Sequence, residues 1–141
     1  GITLLREYGD EERVWCFGSE LRQVFANLIG NAFDATRESG SLILRTRPQV
    51  HGRTGQPGVR ITIADTGHGM TRATQQHLFE PFFTTKGDSG TGLGLWVSRE
   101  ILNKHRASIQ VRSRAEPGRS GTVFSIWIAQ KQLGGQAGRS A

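Results

Sequence analysis

Apolar residues recur at helical spacing in one long stretch of the chain and alternate with polar residues in several shorter ones. Between residues 20 and 38 they fall three and four positions apart, which predicts one apolar helix face: Leu21, Val24, Phe25, Leu28, Ile29, Ala32 and Phe33. Ser19 suits the N-cap of this helix, and Gly40 follows its end. A short helix is expected near residues 71–78 and a second long helix from about 92 to 104.

Alternating segments predict strands at residues 2–8, 13–17, 41–47, 59–65, 107–114 and 121–129. A polar turn from Gly9 to Glu12 should join the first two strands, and residues 48–58 indicate a loop without chemistry. Helices packed against one sheet make an α+β two-layer sandwich. We expect this domain to span residues 1–130 and to be followed by a disordered, Gly-rich tail at 131–141.

Composition fits one domain and excludes several classes of protein. The chain has 141 residues, of which 35% are hydrophobic, enough for a single packed core. Its lone cysteine, Cys16, cannot form an internal disulfide and is expected to be a small buried side chain. No apolar run approaches the ~20 residues that cross a bilayer, and no signal peptide is recognisable, so we expect a cytoplasmic domain, whether or not the whole protein is membrane-anchored.

The net charge of +6 and the pI near 10.7 raise the question of nucleic-acid binding. The arginines are scattered along the chain, and aromatic residues do not alternate with them as a stacking platform requires. A solvated basic surface, or a site for polyanionic phosphates, is therefore the preferred interpretation, with no nucleic-acid partner.

Two asparagines stand at the border of the predicted apolar face of the first long helix. Asn27 and Asn31 are four residues apart, so their side chains are neighbours, and Asp34 continues the same polar edge. They either cap nearby backbone or face a cleft, where an amide oxygen can ligate a hard cation such as Mg²⁺. Taken alone, the spacing favours capping.

Three further segments carry candidate chemistry. Asp65 ends a predicted strand before two glycines, which is a frequent turn but also offers a carboxylate to the amine of adenine. Residues 79–86 contain three phenylalanines, expected to be packing anchors, and end at Lys86, which could meet a phosphate. Residues 90–94 open the second long helix with glycines, whose free N–H groups suit an anion. There is no P-loop, so a nucleotide site needs a different construction.

In this order and spacing the motifs resemble those of the histidine-kinase, gyrase and mismatch-repair ATPase superfamily, whose nucleotide site has the Bergerat fold. The resemblance covers about residues 12–129 and implies a mixed sheet. Asn27 to Ala32 is similar to the family's N box, Asp65 to Gly69 to its G1 box and Gly90 to Gly94 to its G2 box. Phe79 to Lys86 resembles the F box, which is particular to the histidine-kinase branch, and Gly121 to Phe124 resembles the closing strand.

The resemblance implies a role for each site residue. Asn31 would hold Mg²⁺ and through it the triphosphate of ATP, with Asn27 on the phosphate side and Lys86 at the outer phosphates. Asp65 would bind the adenine amine, assisted through water by Thr122. The pocket and its lid would be shaped by the remaining residues, Gly67, Gly69, Gly90, Thr91, Gly92, Leu93 and Gly94.

Position 27 distinguishes between branches of the superfamily. Hydrolysing relatives have a glutamate there as the base for water, whereas an amide such as Asn27 is no useful base. The resemblance thus implies a protein-histidine kinase that keeps the γ-phosphoryl for a histidine on a separate dimerisation domain. A response-regulator aspartate would receive it next.

None of the four histidines, His51, His68, His77 and His105, stands in the family's acceptor context. We therefore expect this chain alone to be monomeric and inactive in autophosphorylation, and the full protein to be a homodimer.

Two departures from the family pattern bear on affinity. Asp34 stands where many members have a basic residue that touches phosphate, so Lys86 or an arginine would have to compensate. Only Gly87, Asp88 and Ser89 separate Lys86 from the G2 glycines, which makes a short lid. We expect a micromolar or weaker dissociation constant, about 8 kcal/mol of binding free energy or less.

Two alternatives remain within this interpretation. A serine kinase acting on a protein antagonist, as anti-sigma-factor kinases do, is disfavoured by the F box. A non-catalytic module whose nucleotide gates a partner is left open by Asp34 and the short lid.

Overall fold

Within the described residues, five strands form one sheet and three helices supply the second layer. The computed structural model describes residues 1–9, 14, 16–37, 39–85 and 92–130. Its elements in chain order are β1 (Ile2–Glu7), α1 (Gly18–Thr36), β2 (Gly40–Val50), β3 (Pro57–Asp65), α2 (Arg72–His77), α3 (Gly94–Lys104), β4 (Ser108–Arg114) and β5 (Gly121–Ala129). Among the described residues, no helix combines the length and the apolar character needed to cross a membrane.

The strand order β1-β2-β3-β5-β4 produces a mixed sheet. β1 runs parallel to β2, and the other three pairs are antiparallel. The register sets Asp65, the last residue of β3, between Leu42 of β2 and Thr122 of β5. The predicted α+β two-layer sandwich with a mixed sheet is confirmed, and the polar end of β3 lies in the middle of that sheet.

The core lies between the helices and one face of the sheet. Strand β5 shows the period-2 pattern of a half-buried strand, because Phe124, Ile126 and Ile128 are buried while the residues between them are half-buried. Helix α1 buries Leu21, Val24, Leu28 and Ala32 against this face. Phe33, predicted for the same helix face, is instead 44% exposed, because at ~100° per residue it lies at the edge of the apolar stripe.

The predicted strand at residues 13–17 is wrong at its described positions, since Val14, Cys16 and Phe17 belong to no strand. Phe17 is the N-cap residue of α1, and its carbonyl accepts the N–H groups of Glu20 and Leu21. The alternation arises because Val14 and Cys16 pack against the core from an irregular segment. The remaining positions, 10–13 and 15, lie outside the described residues, as does the predicted tail at 131–141.

Helix and strand limits also differ from the sequence prediction. Helix α1 begins at Gly18, so Ser19 is not its N-cap, and it ends at Thr36, two residues before the predicted end. Helix α3 begins at Gly94, not at 92. Strand β2 extends to Val50, because its ladder with β3 continues through Pro48–Val59 and Gln49–Gly58 pairs, which shortens the predicted loop at 48–58.

Candidate active site

A cavity of about 950 Å³ opens between α1, the end of the sheet and the N-terminal end of α3. Of the residues predicted from the sequence, the structure brings six together in its wall: Asn31, Asp65, Gly69, Gly92, Gly94 and Thr122. Three others, Asn27, Gly67 and Leu93, lie outside the lining. Lys86, Gly90 and Thr91, together with the expected lid at 87–89, lie outside the described residues.

Asp65 is a buried polar residue of this wall. Its side chain is at the end of β3, the residue is 8% exposed, and its Oδ1 accepts the Gly67 N–H at 2.8 Å. Burial raises the pKa of the Asp65 carboxyl, while the N–H groups of Gly67 and Thr122 and the nearby His68 act in the opposite direction. The result is a buried carboxyl group with acceptor capacity facing an open space.

The turn after Asp65 is held against α1 and β4 by two glycines. A Cβ on Gly67 would collide with the backbone of Ala35, and the His68 N–H donates to the Ala35 carbonyl at 3.1 Å. Gly69 has a φ of 71° and lies directly against the carbonyl of Arg114. Both positions exclude larger side chains by close backbone approach, so the turn has one position relative to the cavity.

Asn31 and Asn27 lie on the same side of α1 but have different surroundings. Asn31 is half-buried and lines the cavity, as do Asp34 farther along the helix and Arg37, the residue that follows its end. The Asn27 Nδ2 group donates to the Gly94 carbonyl and to Ser98 Oγ, both at 3.1 Å. Asn27 therefore ties α1 to the beginning of α3, whereas Asn31 belongs to the cavity wall.

The segments on either side of residues 86–91 meet through a backbone hydrogen bond. The Phe82 N–H donates to the Gly92 carbonyl at 2.8 Å, and Gly92 with a φ of 73° leaves no room for a Cβ beside the Phe82 backbone. Phe82 itself is 74% exposed, so it is not the predicted packing anchor, whereas Phe79 packs against the core. Phe83 is half-buried and lines the cavity.

Several lining residues were missed by the sequence analysis, namely Arg37, Met70, Thr74, Leu78, Leu95 and Phe124. Their apolar members are core residues whose exposed edges form the cavity wall, and periodicity alone does not distinguish the two roles. Arg37 is the C-cap residue that follows α1 and has a φ of 58°, so helical spacing did not point to it. Arg37 brings a positive charge to the cavity, whereas Asp34 brings a negative one.

The donor set limits what the cavity can hold. Within the part of the chain that the structure describes, no group of three or more His, Cys, Asp or Glu side chains could hold a metal ion alone. An Mg²⁺ ion at the Asn31 amide would thus need oxygen ligands from a bound phosphate and water, which is how Mg²⁺ commonly binds. A cavity of this size with one buried carboxylate fits a phosphorylated ligand that carries an amine.

Comparison with known proteins agrees with this geometry. Residues 18–132 match the family model of histidine kinase-, DNA gyrase B-, and HSP90-like ATPases. Sporulation kinase E of Bacillus subtilis is 38% identical over 84% of this chain, and sensor histidine kinase ZraS of Salmonella typhi is 36% identical over 89% of it. The chain spans only 15% and 24% of the lengths of these two relatives.

Solved structures give the same result for the fold. A nucleotide-free catalytic domain of the histidine kinase ThkA superposes with a TM-score of 0.76 at 30% identity, covering 93% of this chain and 82% of that domain. Full-length ShkA in complex with AMPPNP gives a TM-score of 0.76 at 25% identity, covering 93% of this chain and 26% of that protein.

Proposed function

Because this chain belongs to the histidine kinase-, DNA gyrase B-, and HSP90-like ATPase family and has the fold of a histidine-kinase catalytic domain, we propose that its cavity binds Mg-ATP for phosphoryl transfer to a histidine. The acceptor histidine would lie on a dimerisation domain outside this chain. ATP supplies the γ-phosphoryl group, and the chain's own residues orient it and balance its charge. In the full protein, which would act in the cytoplasm as a homodimer, a response-regulator receiver domain would take the phosphate from that histidine.

The buried Asp65 carboxylate is the observation that supports an adenine nucleotide most strongly. Its two backbone hydrogen-bond donors, from Gly67 and Thr122, fix its orientation and favour its charged form. A carboxylate accepts only, so it pairs with the exocyclic amine of adenine and opposes a carbonyl at the same place. The proposed role of Gly69 is to let the base approach the turn.

Asn31 is proposed as the Mg²⁺ ligand and Arg37 as a counter-charge for the phosphates. Asn31 contributes a neutral amide oxygen, so most of the metal's ligands would be phosphate and water oxygens. This arrangement keeps the metal on the triphosphate. Lys86 would join the outer phosphates, and Gly90, Thr91, Gly92, Leu93 and Gly94 would supply the phosphate-binding loop.

The environment of Asn27 supports transfer rather than hydrolysis. Its Nδ2 group is engaged by Gly94 and Ser98, and an amide has no proton-accepting nitrogen at neutral pH. Asn27 is therefore proposed to position the phosphate-binding loop through α3. With no base for water in that position, the bound γ-phosphoryl group would persist until an acceptor histidine arrives.

The chain's own histidines are poor acceptor candidates. His105 accepts the Phe17 N–H through Nε2 and contacts the Ile101 carbonyl through Nδ1, so both ring nitrogens are engaged. His51 accepts two loop N–H groups, and His77 contacts Glu80 at 3.0 Å. His68 lies on the cavity wall, where its Nδ1 contacts the Gly69 carbonyl.

We therefore expect this chain, incubated with Mg-ATP labelled at the γ-phosphate, to retain no acid-labile, base-stable label. The full-length protein should become labelled on one histidine, and Asp65→Asn in the full-length protein should abolish that label. Label on an isolated wild-type chain would show that one of its own histidines is an acceptor. Base-labile label on a protein substrate would instead favour the serine-kinase alternative. If the full protein binds ATP but transfers no phosphate, the non-catalytic regulatory module is favoured.

Asn31→Ala should remove most of the Mg²⁺ dependence of nucleotide affinity. In the wild-type chain, Mg²⁺ should strengthen ATP binding, because the metal links Asn31 to the triphosphate, whereas ATP affinities of the variant with and without Mg²⁺ should agree within about threefold. Calorimetric titrations with ATP, one in Mg²⁺ and one in excess chelator, measure the two affinities for each protein. Asn103→Ala, at an exposed position of α3, is the matched control. An unchanged Mg²⁺ effect in Asn31→Ala would remove Asn31 from the metal site.

A further inference from the structure

Ser113, on the edge strand β4 and outside all four motifs, lies beside the cavity residue Thr122. Its register partner across the sheet is Thr122, and the two hydroxyl oxygens are 2.8 Å apart. The Ser113 Oγ also accepts the Met70 N–H at 2.7 Å and lies 2.9 Å from the Gly121 carbonyl oxygen. Ser113 thus joins the turn after Asp65 to the beginning of β5.

The hydrogen count at this cluster fixes the direction of each bond. A serine hydroxyl has one hydrogen and two lone pairs. The Gly121 carbonyl can only accept, so the Ser113 hydrogen goes to it. The Met70 N–H uses one lone pair of Ser113, and the contact with Thr122 then requires that Thr122 donates its own hydrogen to the other. Ser113 is fully satisfied by this arrangement.

The consequence concerns the side of Thr122 that faces the cavity. Thr122 is 4% exposed and lines the cavity beside Asp65, its partner in the β3–β5 register. With its hydrogen committed to Ser113, the Thr122 oxygen has only lone pairs left to offer. The cavity wall therefore presents two neighbouring acceptors, the Asp65 carboxylate and the Thr122 hydroxyl.

We propose that Ser113 is a positioning residue that determines base specificity: it holds Thr122 as a hydrogen-bond acceptor and so favours a 6-aminopurine nucleotide over a 6-oxopurine one. This inference rests on the proposed ATP site. The amine of a 6-aminopurine has two hydrogens to donate, one toward Asp65 and one directly toward the Thr122 oxygen. A 6-oxopurine brings an acceptor to the same wall, and no donor meets it.

The surrounding contacts hold Ser113 in this position. Gln75 Nε2, on α2, donates to the Met70 carbonyl at 3.0 Å and to the Ser113 carbonyl at 3.2 Å. Gly69, the residue before Met70, lies against the carbonyl of Arg114, the residue after Ser113. The turn, α2 and β4 therefore form one hydrogen-bonded unit, and turning the Ser113 hydroxyl away from Thr122 would break its hydrogen bonds with the Met70 N–H and the Gly121 carbonyl.

The test compares ATP with inosine triphosphate, in which an oxo group replaces the 6-amine. Dissociation constants of both Mg-nucleotides are measured by calorimetry for the wild-type chain and for Ser113→Ala. Removing the Ser113 oxygen frees the Thr122 hydroxyl to rotate and donate to the oxo group, so the preference for ATP should fall about 2- to 10-fold. A purely structural role would weaken both nucleotides by the same factor and leave their ratio unchanged, which would overturn the inference.

Three further variants keep the outcome interpretable. Ser113→Thr retains the hydroxyl and should keep the wild-type ratio, and Ser108→Ala, at an exposed position of the same strand, should do so too. If thermal unfolding shows that Ser113→Ala does not fold, the ratio of the two dissociation constants is measured for Ser113→Cys instead. The thiol of this variant has nearly the same shape as the hydroxyl but hydrogen-bonds weakly. A wild-type chain that binds neither nucleotide would refute the proposed function itself, whereas ATP binding with a constant ratio refutes only the role of Ser113.

Discussion

Asp65→Asn is expected to lower the affinity for Mg-ATP by roughly 100-fold, since a charge-assisted hydrogen bond is lost and an amide NH₂ is brought up against the adenine amine. The change preserves shape, so the Gly67 N–H can still find an oxygen acceptor. Calorimetric titration of the variant, with circular dichroism as a check of folding, measures the effect.

Asp34→Asn is the matched control, because Asp34 is an exposed carboxylate on the same cavity wall. An exposed charge contributes little to binding, so the ATP affinity of Asp34→Asn should differ from that of the wild-type chain by about fivefold or less in either direction. Asp65 would not be the residue that recognises adenine if Asp65→Asn bound ATP as tightly as the wild-type chain does. The same conclusion would follow if ATP affinity fell by the same factor in both variants.

The pH dependence of binding provides a second signature of Asp65. Burial raises the pKa of this carboxyl, and an amine ligand favours its ionised form, so ATP affinity should fall as the pH drops through the raised pKa. The contribution of Asp65 to the pH dependence of ATP affinity is the part that is present in the wild-type chain and absent in Asp65→Asn.

The nucleotide-free domain should show the reverse trend in stability. A carboxyl whose pKa is higher in the folded state than in the unfolded state binds protons preferentially when folded. Its contribution to the free energy of unfolding is therefore present at low pH and is lost as the pH rises through the raised pKa of Asp65. Bound ATP should reduce this loss by pairing with the carboxylate.

Gly69→Ala should destabilise the domain by about 3 kcal/mol or more, which for a domain of this size lowers Tm on the order of 10 °C. Two causes add: the residue has a φ of 71°, and its new Cβ would fall on the carbonyl of Arg114. That carbonyl belongs to β4, so it cannot swing aside as a side chain would. Loss of ATP affinity should accompany the loss of stability, because the turn would move away from Asp65.

Gly55→Ala separates the two causes. Gly55 has a φ of 72°, but nothing lies within 4 Å of an added Cβ, so only the cost of the left-handed conformation applies. We expect a loss of about 1 kcal/mol there, with no change in nucleotide affinity. Equal destabilisation by the two variants would show that the contact between Gly69 and Arg114 contributes nothing.

The spacing of apolar and turn residues along the chain predicted those elements whose structure depends on residues close in sequence. The apolar stripe of α1, the alternation of β5 and the turn after Asp65 follow from spacing within one element. Long-range partners decided the rest: β1 pairs in parallel with β2, and α1 begins at Gly18 because Phe17 is held by His105, 88 residues away. Spacing within the segment does not encode such a partner.

The candidate site divides in the same way. The family resemblance implied that Asn31, Asp65 and Thr122 belong to one site, and the structure brings them to one cavity. Sequence could not reveal that Asn27 faces Ser98 rather than the cavity, because this depends on how α1 and α3 pack. Ser113 has no motif of its own, and its importance arises only from the β4–β5 register, which sets it opposite Thr122.

The most direct test of the proposed function is a calorimetric titration of ATP with Mg²⁺ into the wild-type chain. We expect saturable binding at one site with a micromolar or weaker dissociation constant, on the order of 8 kcal/mol or less. A folded chain that gives no saturable binding would contradict the proposal and would leave the cavity as a degenerate, non-catalytic site.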